Sequence, residues 1–229
     1  MQIASGVHRI VPLLADAAAW PLWRLSAVGE RLGVGWMTYN PVVFKAFHDL
    51  AVADAPGVSR ALEDVFPRAR RYADIGAGSG AFAAAVHDRG HQVIACDHGL
   101  TGRLLARRQG IECRPFDLRR DPPADLDGAV DLAYCFEVAE HVDPGLGGRL
   151  VAFLASQAPV VVFTSATPGQ GGIGHINEQP PAYWIERFEE HGMTHQEGLS
   201  RRFAQALAAA GVTRPWFTEH PLVFAAPPN

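Results

Sequence analysis

The sequence predicts an α/β fold: a mostly parallel sheet with helices on both faces, preceded by an N-terminal helical arm. Three observations carry this. From Arg70 onward, short apolar runs alternate with amphipathic segments at the spacing of strand–helix–strand units, which implies parallel strands joined by right-handed crossovers. The run at 160–165, Val-Val-Val-Phe-Thr-Ser, is apolar enough to lie centrally in a sheet covered on both faces. The run at 72–75 ends in Asp74 and Ile75 and passes at once into Gly76, Gly78 and Gly80 and an alanine-rich segment, the pattern of a strand, a tight turn and a helix N-terminus.

Taken in order, residues 1–38 carry Trp20, Trp23 and Trp36 among alanines and leucines and are expected to form one or two amphipathic helices. Pro41 pushes Asn40 out of the helical region. A helix over 42–53 fits the spacing of Val43, Phe47 and Leu50, and a second over 58–66 is stopped by Pro67. This arm, residues 1–69, reads either as a packing layer or as a lid over a substrate pocket, with Tyr39 or Asn40 touching ligand. The catalytic domain is expected over 70–229. Its strands are predicted at 72–75, 92–97, 111–114, 130–135, 160–165, 193–196 and 222–226. Its helices are predicted at 81–89, 102–109, 148–157, 182–191 and 200–210, four of them ended by Gly90, Gly110, Gly192 and Gly211. A further helix is expected to start near Glu137. The glycine-rich loop at 167–174 follows a strand and is more naturally active-site surface than spacer.

The 229 residues suffice for one α/β domain with accessory helices, and 48% hydrophobic residues can build a core. The net charge of −4 and the modest arginine clusters at 68–71, 103–108 and 201–202 argue against nucleic acid held by bulk electrostatics. Cys96, Cys113 and Cys135 lie in or beside apolar runs and read as buried free thiols in a reducing, cytoplasmic setting. The apolar stretch 10–28 is broken by Asp16, Pro21 and Arg24, so no membrane span is expected, and Asp16 within 11–19 makes a poor signal peptide.

A doubly wound sheet binds its ligands at the carboxyl ends of its strands. There, Gly76-x-Gly78-x-x-Ala81 fits a dinucleotide fingerprint, with Asp97 as the acidic ribose contact. That motif alone does not separate NAD from S-adenosylmethionine (SAM). Asp74 would repel a pyrophosphate but suits the ammonium of a methionine. Asp117, after the third strand, is placed to hydrogen-bond an adenine amino group. The segment Phe136-Glu-Val-Ala-Glu-His-Val142 has no dinucleotide-binding counterpart.

Residues 74–80, Asp97, Asp117-Leu118 and 137–142 together resemble a class I SAM-dependent methyltransferase. The segments His175-Ile-Asn-Glu-Gln-Pro-Pro181 and Tyr183-Trp-Ile-Glu-Arg-Phe188 are similar to its small-molecule or sugar-modifying branch. The resemblance covers about 70–226. It implies a Rossmann-like, seven-stranded sheet with an antiparallel last strand. It implies that Asp74, Gly76 and Gly78 lie near the methionine part of SAM, with Ala77, Gly80 and Phe136 also in the cofactor site. Asp97 would take the ribose, with His98 beside it, and Asp117 and Leu118 the adenine.

If 137–141 is helical, Glu137, Glu140 and His141 share one face at the edge where the methyl group would sit, and His175 could join them. Two carboxylates and imidazole make a plausible site for a divalent ion such as Mg, Mn, Fe or Zn. A similar Glu-x-x-Glu-His arrangement occurs in metal-assisted O-methyltransferases, including ubiquinone-pathway and small-RNA 2′-O-methylating types. Many metal-free methyltransferases carry the same run, with the glutamates capping a helix. Without a metal, His141 or His175 is the natural general base. The expected activity is methyl transfer to a hydroxyl of a small metabolite, of the kind found in secondary metabolism. An RNA 2′-O-methyltransferase, transfer to nitrogen or carbon, and a non-catalytic SAM-binding partner subunit are the alternatives, and a homodimer is left open.

Overall fold

Nine α-helices and seven strands build the described part of the chain, which in this computed structural model is residues 20–32 and 35–227 apart from 122, 125, 127 and 129. The early apolar stretch at 10–19 lies outside the described residues. Strands β1 (Arg71–Ile75), β2 (Gln92–Asp97), β3 (Cys113–Pro115), β4 (Leu132–Phe136), β5 (Val160–Thr164), β6 (Thr194–His195) and β7 (Leu222–Ala225) form one sheet in the order β3-β2-β1-β4-β5-β7-β6. The first five run parallel, and β7 lies antiparallel to both β5 and β6. This is the expected Rossmann-like sheet, antiparallel last strand included.

Side chains alternate across the strands, so each half of the sequence pattern feeds one face. Ala73, Ile75, Ala133, Cys135, Val161, Phe163 and Phe224 face helices α6 (Gly147–Gln157) and α7 (Pro181–Glu190). Tyr72, Leu132, Tyr134, Phe136, Val162 and Val223 face α3 (Pro41–Val65) and α8 (Glu197–Ala209). Helices α4 (Ala81–Asp88) and α5 (Leu100–Arg108) flank β2, the short α1 (Trp20–Leu32) and α2 (Gly35–Thr38) precede α3, and α9 (Pro215–Thr218) precedes β7. Cys96, Cys113 and Cys135 are free and buried. Among the described residues no helix is long and apolar enough to cross a membrane.

One helix replaces the two expected in the arm. Helix α3 runs unbroken from Pro41 to Val65 with Pro56 inside it. Burial explains this: Val58, Ala61, Leu62 and Val65 are packed against the sheet, and a Cβ on Gly57 would lie 2.6 Å from Val212, so the helix seats closely on the 210–212 turn. Tertiary packing there outweighs the proline's local cost. Asn40 caps the helix, its Oδ1 accepting the N–H groups of Val42 (3.0 Å) and Val43 (3.4 Å), while its Nδ2 donates to Leu22 O and Met37 O. Asn40 is therefore a structural cap, and of the two arm residues expected near ligand only Tyr39 reaches the strand ends.

The far side of the core is aromatic. Phe188 stacks on Phe224 at 3.9 Å and meets Phe163 edge-on at 5.5 Å, and Phe163 in turn contacts Trp184. Phe188→Ala is expected to destabilise the fold by about 3–5 kcal/mol. Urea unfolding checks this; a loss under about 1 kcal/mol would contradict the packing described.

Candidate active site

The turn after β1 is bound tightly to its surroundings except at one point. Gly76 and Ala77 donate to Cys96 O at 2.9 and 3.0 Å, which ties the turn to β2. A Cβ on Gly76 would overlap Val138, and one on Gly80 would lie 2.7 Å from Ala106. A Cβ on Gly78, at φ +53°, would meet nothing within 4 Å. Gly76 and Gly80 thus serve close packing, whereas Gly78 presents bare backbone to open space, where a ligand can approach.

Two carboxylates frame this turn. Asp97 accepts the Gly78 N–H at Oδ2 (2.8 Å) and the Gly99 N–H at Oδ1 (2.6 Å). Burial pushes its pKa up to about 6, against the opposing pull of those two N–H groups. Asp74 is only 3% exposed, and its Oδ2 makes no hydrogen bond. Burial pushes its pKa up to about 8, moderated by the Tyr134 hydroxyl and raised further by Asp97. The other cofactor candidates lie further along the same edge. His98 Nδ1 is 3.1 Å from Phe116 O, and Leu118 is buried beside Phe116 and Leu126. Asp117 is held by Arg119 through Nε at 2.9 Å and the backbone N–H at 3.0 Å, which brings its pKa down to about 2. Phe136 is placed elsewhere: its ring stacks on Tyr134 and Phe203 and meets Phe217 edge-on, on the α3–α8 face.

The segment after β4 is not the α-helix that its spacing suggests. Glu137 takes φ +54°, the one non-glycine residue with positive φ among those described, and only Ala139–His141 forms a turn of 3₁₀-helix. The shared face fails because Glu137 is held back at the strand end. Its N–H donates to Thr164 O and Thr164 Oγ1, both at 3.2 Å, and its Oε2 accepts from Gln170 Nε2 at 3.2 Å. A non-glycine residue kept in this region stores roughly 1–3 kcal/mol of strain, the kind of outlier that clusters at functional sites.

Three of the four candidate metal ligands nonetheless come together. Glu140, His141 and His175 each offer one ligand atom, and these atoms lie within 4.8 Å of one another. Glu137 stands beside this set rather than in it. Glu140 is 0% exposed, and neither of its carboxylate oxygens has a hydrogen-bond partner; nor does Glu137 Oε1. Burial raises both carboxyl groups, and Glu137 raises Glu140 further. His141 is pushed down to about 4 by burial and by His175, whose ring meets it edge-on at 4.9 Å.

The loop after β5 supplies the other wall. Ile176 and Asn177 donate to Glu140 O at 2.8 and 3.0 Å, locking the loop to the 3₁₀ turn. Glu178 accepts from Gly169 N (2.8 Å), Gly171 N (2.7 Å) and His175 Nδ1 (2.9 Å). Burial pushes its carboxyl up, but these donors outweigh it and leave the pKa lowered. From the arm, the Tyr39 hydroxyl lies 2.9 Å from His141 Nδ1 and 3.3 Å from Gly174 O. Phe44 packs where Cβ atoms on Gly99 and Gly102 would sit, and His48 Nδ1 reaches Ser79 Oγ at 2.9 Å. Residues 39–48 therefore cross the mouth of the site. Sequence reasoning missed Glu178, although its spacing of three from His175 was a signal. It also missed Phe44 and His48, for which no local pattern exists.

Comparison with known proteins fits this geometry. Residues 73–153 match the family model of a methyltransferase domain. No curated protein matches the chain by sequence. Similar solved structures include the sugar N-methyltransferase KedS8 from Streptoalloteichus sp ATCC 53650, at 15% identity and TM-score 0.57, covering 77% of this chain and 87% of that one. The mitomycin 7-O-methyltransferase MmcR is 16% identical with TM-score 0.55, covering 86% of this chain and 68% of its own. The magnesium protoporphyrin IX methyltransferase ChlM from Synechocystis PCC 6803, with bound SAM, is 16% identical with TM-score 0.56, covering 99% and 100%. Residues 73–153 thus carry a methyltransferase domain, set in a sheet with the same fold as these methyltransferase structures.

Proposed function

We propose that this methyltransferase acts on a hydroxyl of a small metabolite, with a divalent metal ion held by Glu140, His141 and His175. The observation that carries the metal is a buried set of acceptors without donors. Glu140 Oε1 and Oε2 and Glu137 Oε1 are buried without partners, beside two imidazoles. Buried carboxylates left unpaired are costly, and a cation is the partner that such a set fits. Two imidazoles with a carboxylate suit Mn, Fe or Zn better than Mg. Glu137 would remain outside the ligand set, held by Gln170 and the backbone at Thr164.

The same test supports the SAM assignment. Asp74 Oδ2 is a buried acceptor with no partner, suited to the methionine ammonium. Gly78 leaves its backbone open to the ligand, and Asp97 keeps lone pairs for ribose hydroxyls beyond the two N–H groups it already accepts. Leu118 and His98 would flank the adenine, while Asp117 would have to share its carboxylate with Arg119. Phe136 would act only through packing.

Bound SAM supplies an electrophilic methyl group; a bound divalent ion would lower the pKa of the acceptor hydroxyl. The chain's part is to align that hydroxyl and keep water out, which residues 39–48 and the 167–178 loop are placed to do. Without a metal, His175 is the better proton acceptor of the two histidines. It has Glu178 behind it to balance the charge, whereas burial holds His141 neutral. A small-molecule acceptor is favoured by the substrates of the similar structures, which include a sugar, mitomycin and magnesium protoporphyrin IX. KedS8, a sugar N-methyltransferase, makes an amine acceptor the second reading.

Three measurements test this. First, Asp74 is largely protonated below pH about 8, so holding an ammonium there must release a proton. SAM affinity should therefore tighten as pH rises toward 8, by up to about tenfold per unit, with proton release seen by calorimetry in buffers of different ionisation enthalpy. A flat profile without proton release would remove Asp74 from the ammonium site. Second, Gly78→Ala should fold with a loss of about 1 kcal/mol yet bind SAM weakly, whereas Gly76→Ala should lose more stability against Val138. Equal melting shifts in the two variants would contradict this. Third, Mn(II) or Zn(II) added at 100 times its Kd should stabilise the wild type by about 2.7 kcal/mol, and Glu140→Gln should abolish that gain. No thermal shift with any divalent ion would sink the metal assignment.

A further inference from the structure

We propose that Glu178 and Tyr39 are positioning residues that, with Gly174 O, fix His175 and His141 as Nδ1–H tautomers, reserving the Nε2 lone pair of each for a divalent cation beside Glu140. The inference rests on the metal reading above, but its first step concerns only the chain's own hydrogen bonds.

Take His175 first. Its Nδ1 lies 2.9 Å from Glu178 Oε1. Both Glu178 oxygens already accept backbone N–H groups, from Gly169 and Gly171, so the carboxylate faces the ring as an acceptor. The proton of a neutral His175 must then sit on Nδ1. Glu178 is itself immobilised, because the Gly169 and Gly171 N–H groups donate to its two oxygens. Gly172 lies so close to the ring that any side chain there would overlap it. The loop thus holds the ring from both sides.

His141 reaches the same state by another route. Its Nδ1 lies 3.1 Å from Gly174 O, a carbonyl that can only accept, and 2.9 Å from the Tyr39 hydroxyl. The hydroxyl can donate to Gly174 O at 3.3 Å and accept from Nδ1–H at the same time. Every partner is satisfied if Nδ1 carries the proton. If Nε2 carried it instead, Nδ1 and the Gly174 carbonyl would stand as two acceptors 3.1 Å apart. Two imidazoles whose Nδ1–H groups are engaged and whose Nε2 atoms are left for a ligand, next to the Glu140 carboxyl, form a ligand set whose outer hydrogen bonds are already made.

The two partners differ in strength. Glu178 is a charged acceptor and the sole hydrogen-bond partner of His175 Nδ1 in the interactions described, whereas His141 keeps Gly174 O when Tyr39 is removed. Glu178→Gln is therefore expected to weaken metal binding by about 10- to 100-fold, and Tyr39→Phe by about 2- to 10-fold.

The test has two arms. Side-chain ¹⁵N NMR of the metal-free, full-length protein reads each tautomer directly. Both rings are expected as Nδ1–H; either ring found as Nε2–H overturns the proposal, whatever the metal does. Calorimetric titration with Mn(II) or Zn(II) alone then compares the wild type with the two variants, checked for folding by circular dichroism. Graded loss, larger for Glu178→Gln, supports the positioning role. Wild-type binding with unchanged affinity in both variants overturns that role while the metal site stands. No binding to the wild type overturns both. Should Glu178→Gln fail to fold, the wild-type spectrum and Tyr39→Phe still decide.

Discussion

Strand β1 has β2 on one side and β4 on the other, and the chemistry lies where their loops part. Because β1–β2 and β1–β4 are both parallel, all three strands end at the same edge, with Asp74 in register with Ala95 and Tyr134. The loops leaving that edge must turn to opposite faces, and a crevice opens between them. Asp97 stitches one bank by accepting from both Gly78 and Gly99. Thr164, at the end of β5, stitches the other by holding Glu137 at the end of β4. The elements farther out, α3, α6, α7 and α8, bury the two faces and keep this edge in register.

Four buried or part-buried carboxyl groups line the crevice: Asp74, Asp97, Glu137 and Glu140. Each is raised, and in each burial is the largest cause. None of the four has a salt bridge to a lysine or arginine among the described residues. The contrast is Asp54, also buried, which pairs with Arg214 on the outer side of α3. A protein that pairs its structural carboxylate and leaves its cleft carboxyl groups unpaired keeps acids that burial holds protonated and that ionise when a cation arrives. The ammonium of SAM, or a divalent ion, would be such a cation.

Much of this was legible in the sequence, and the reasons differ by region. The strands could be read because their apolar runs are bounded by glycines and acidic residues, and the helices of the sheet because glycines end them. The glycine turn after β1 could be read because glycine, and no other residue, tolerates both the positive φ and the close approach of Val138 and Ala106. What escaped was set by contacts distant in sequence. Glu137 leaves the helical region because Thr164 holds its N–H, so a spacing that reads as one helical face gives a bend instead. Pro56 continues α3 because the helix is buried against the 210–212 turn. Tyr39 reaches His141 across 102 residues, and no periodicity reports such a contact.

Helix α3 has a mechanical consequence. Its far half is sealed into the core through Val58, Leu62 and Val65, whereas its near end carries Phe44 and His48, with Tyr39 just ahead of its cap. Pro56 separates the two parts and cannot donate to the carbonyl four residues back, so the helix is weakest there. The part before the proline spans some fifteen residues, about 22 Å at 1.5 Å per residue. The contacts of Tyr39 with His141, of Phe44 with the Gly99–Gly102 turn and of His48 with Ser79 all hang on this one segment, so a tilt of it would loosen all three together.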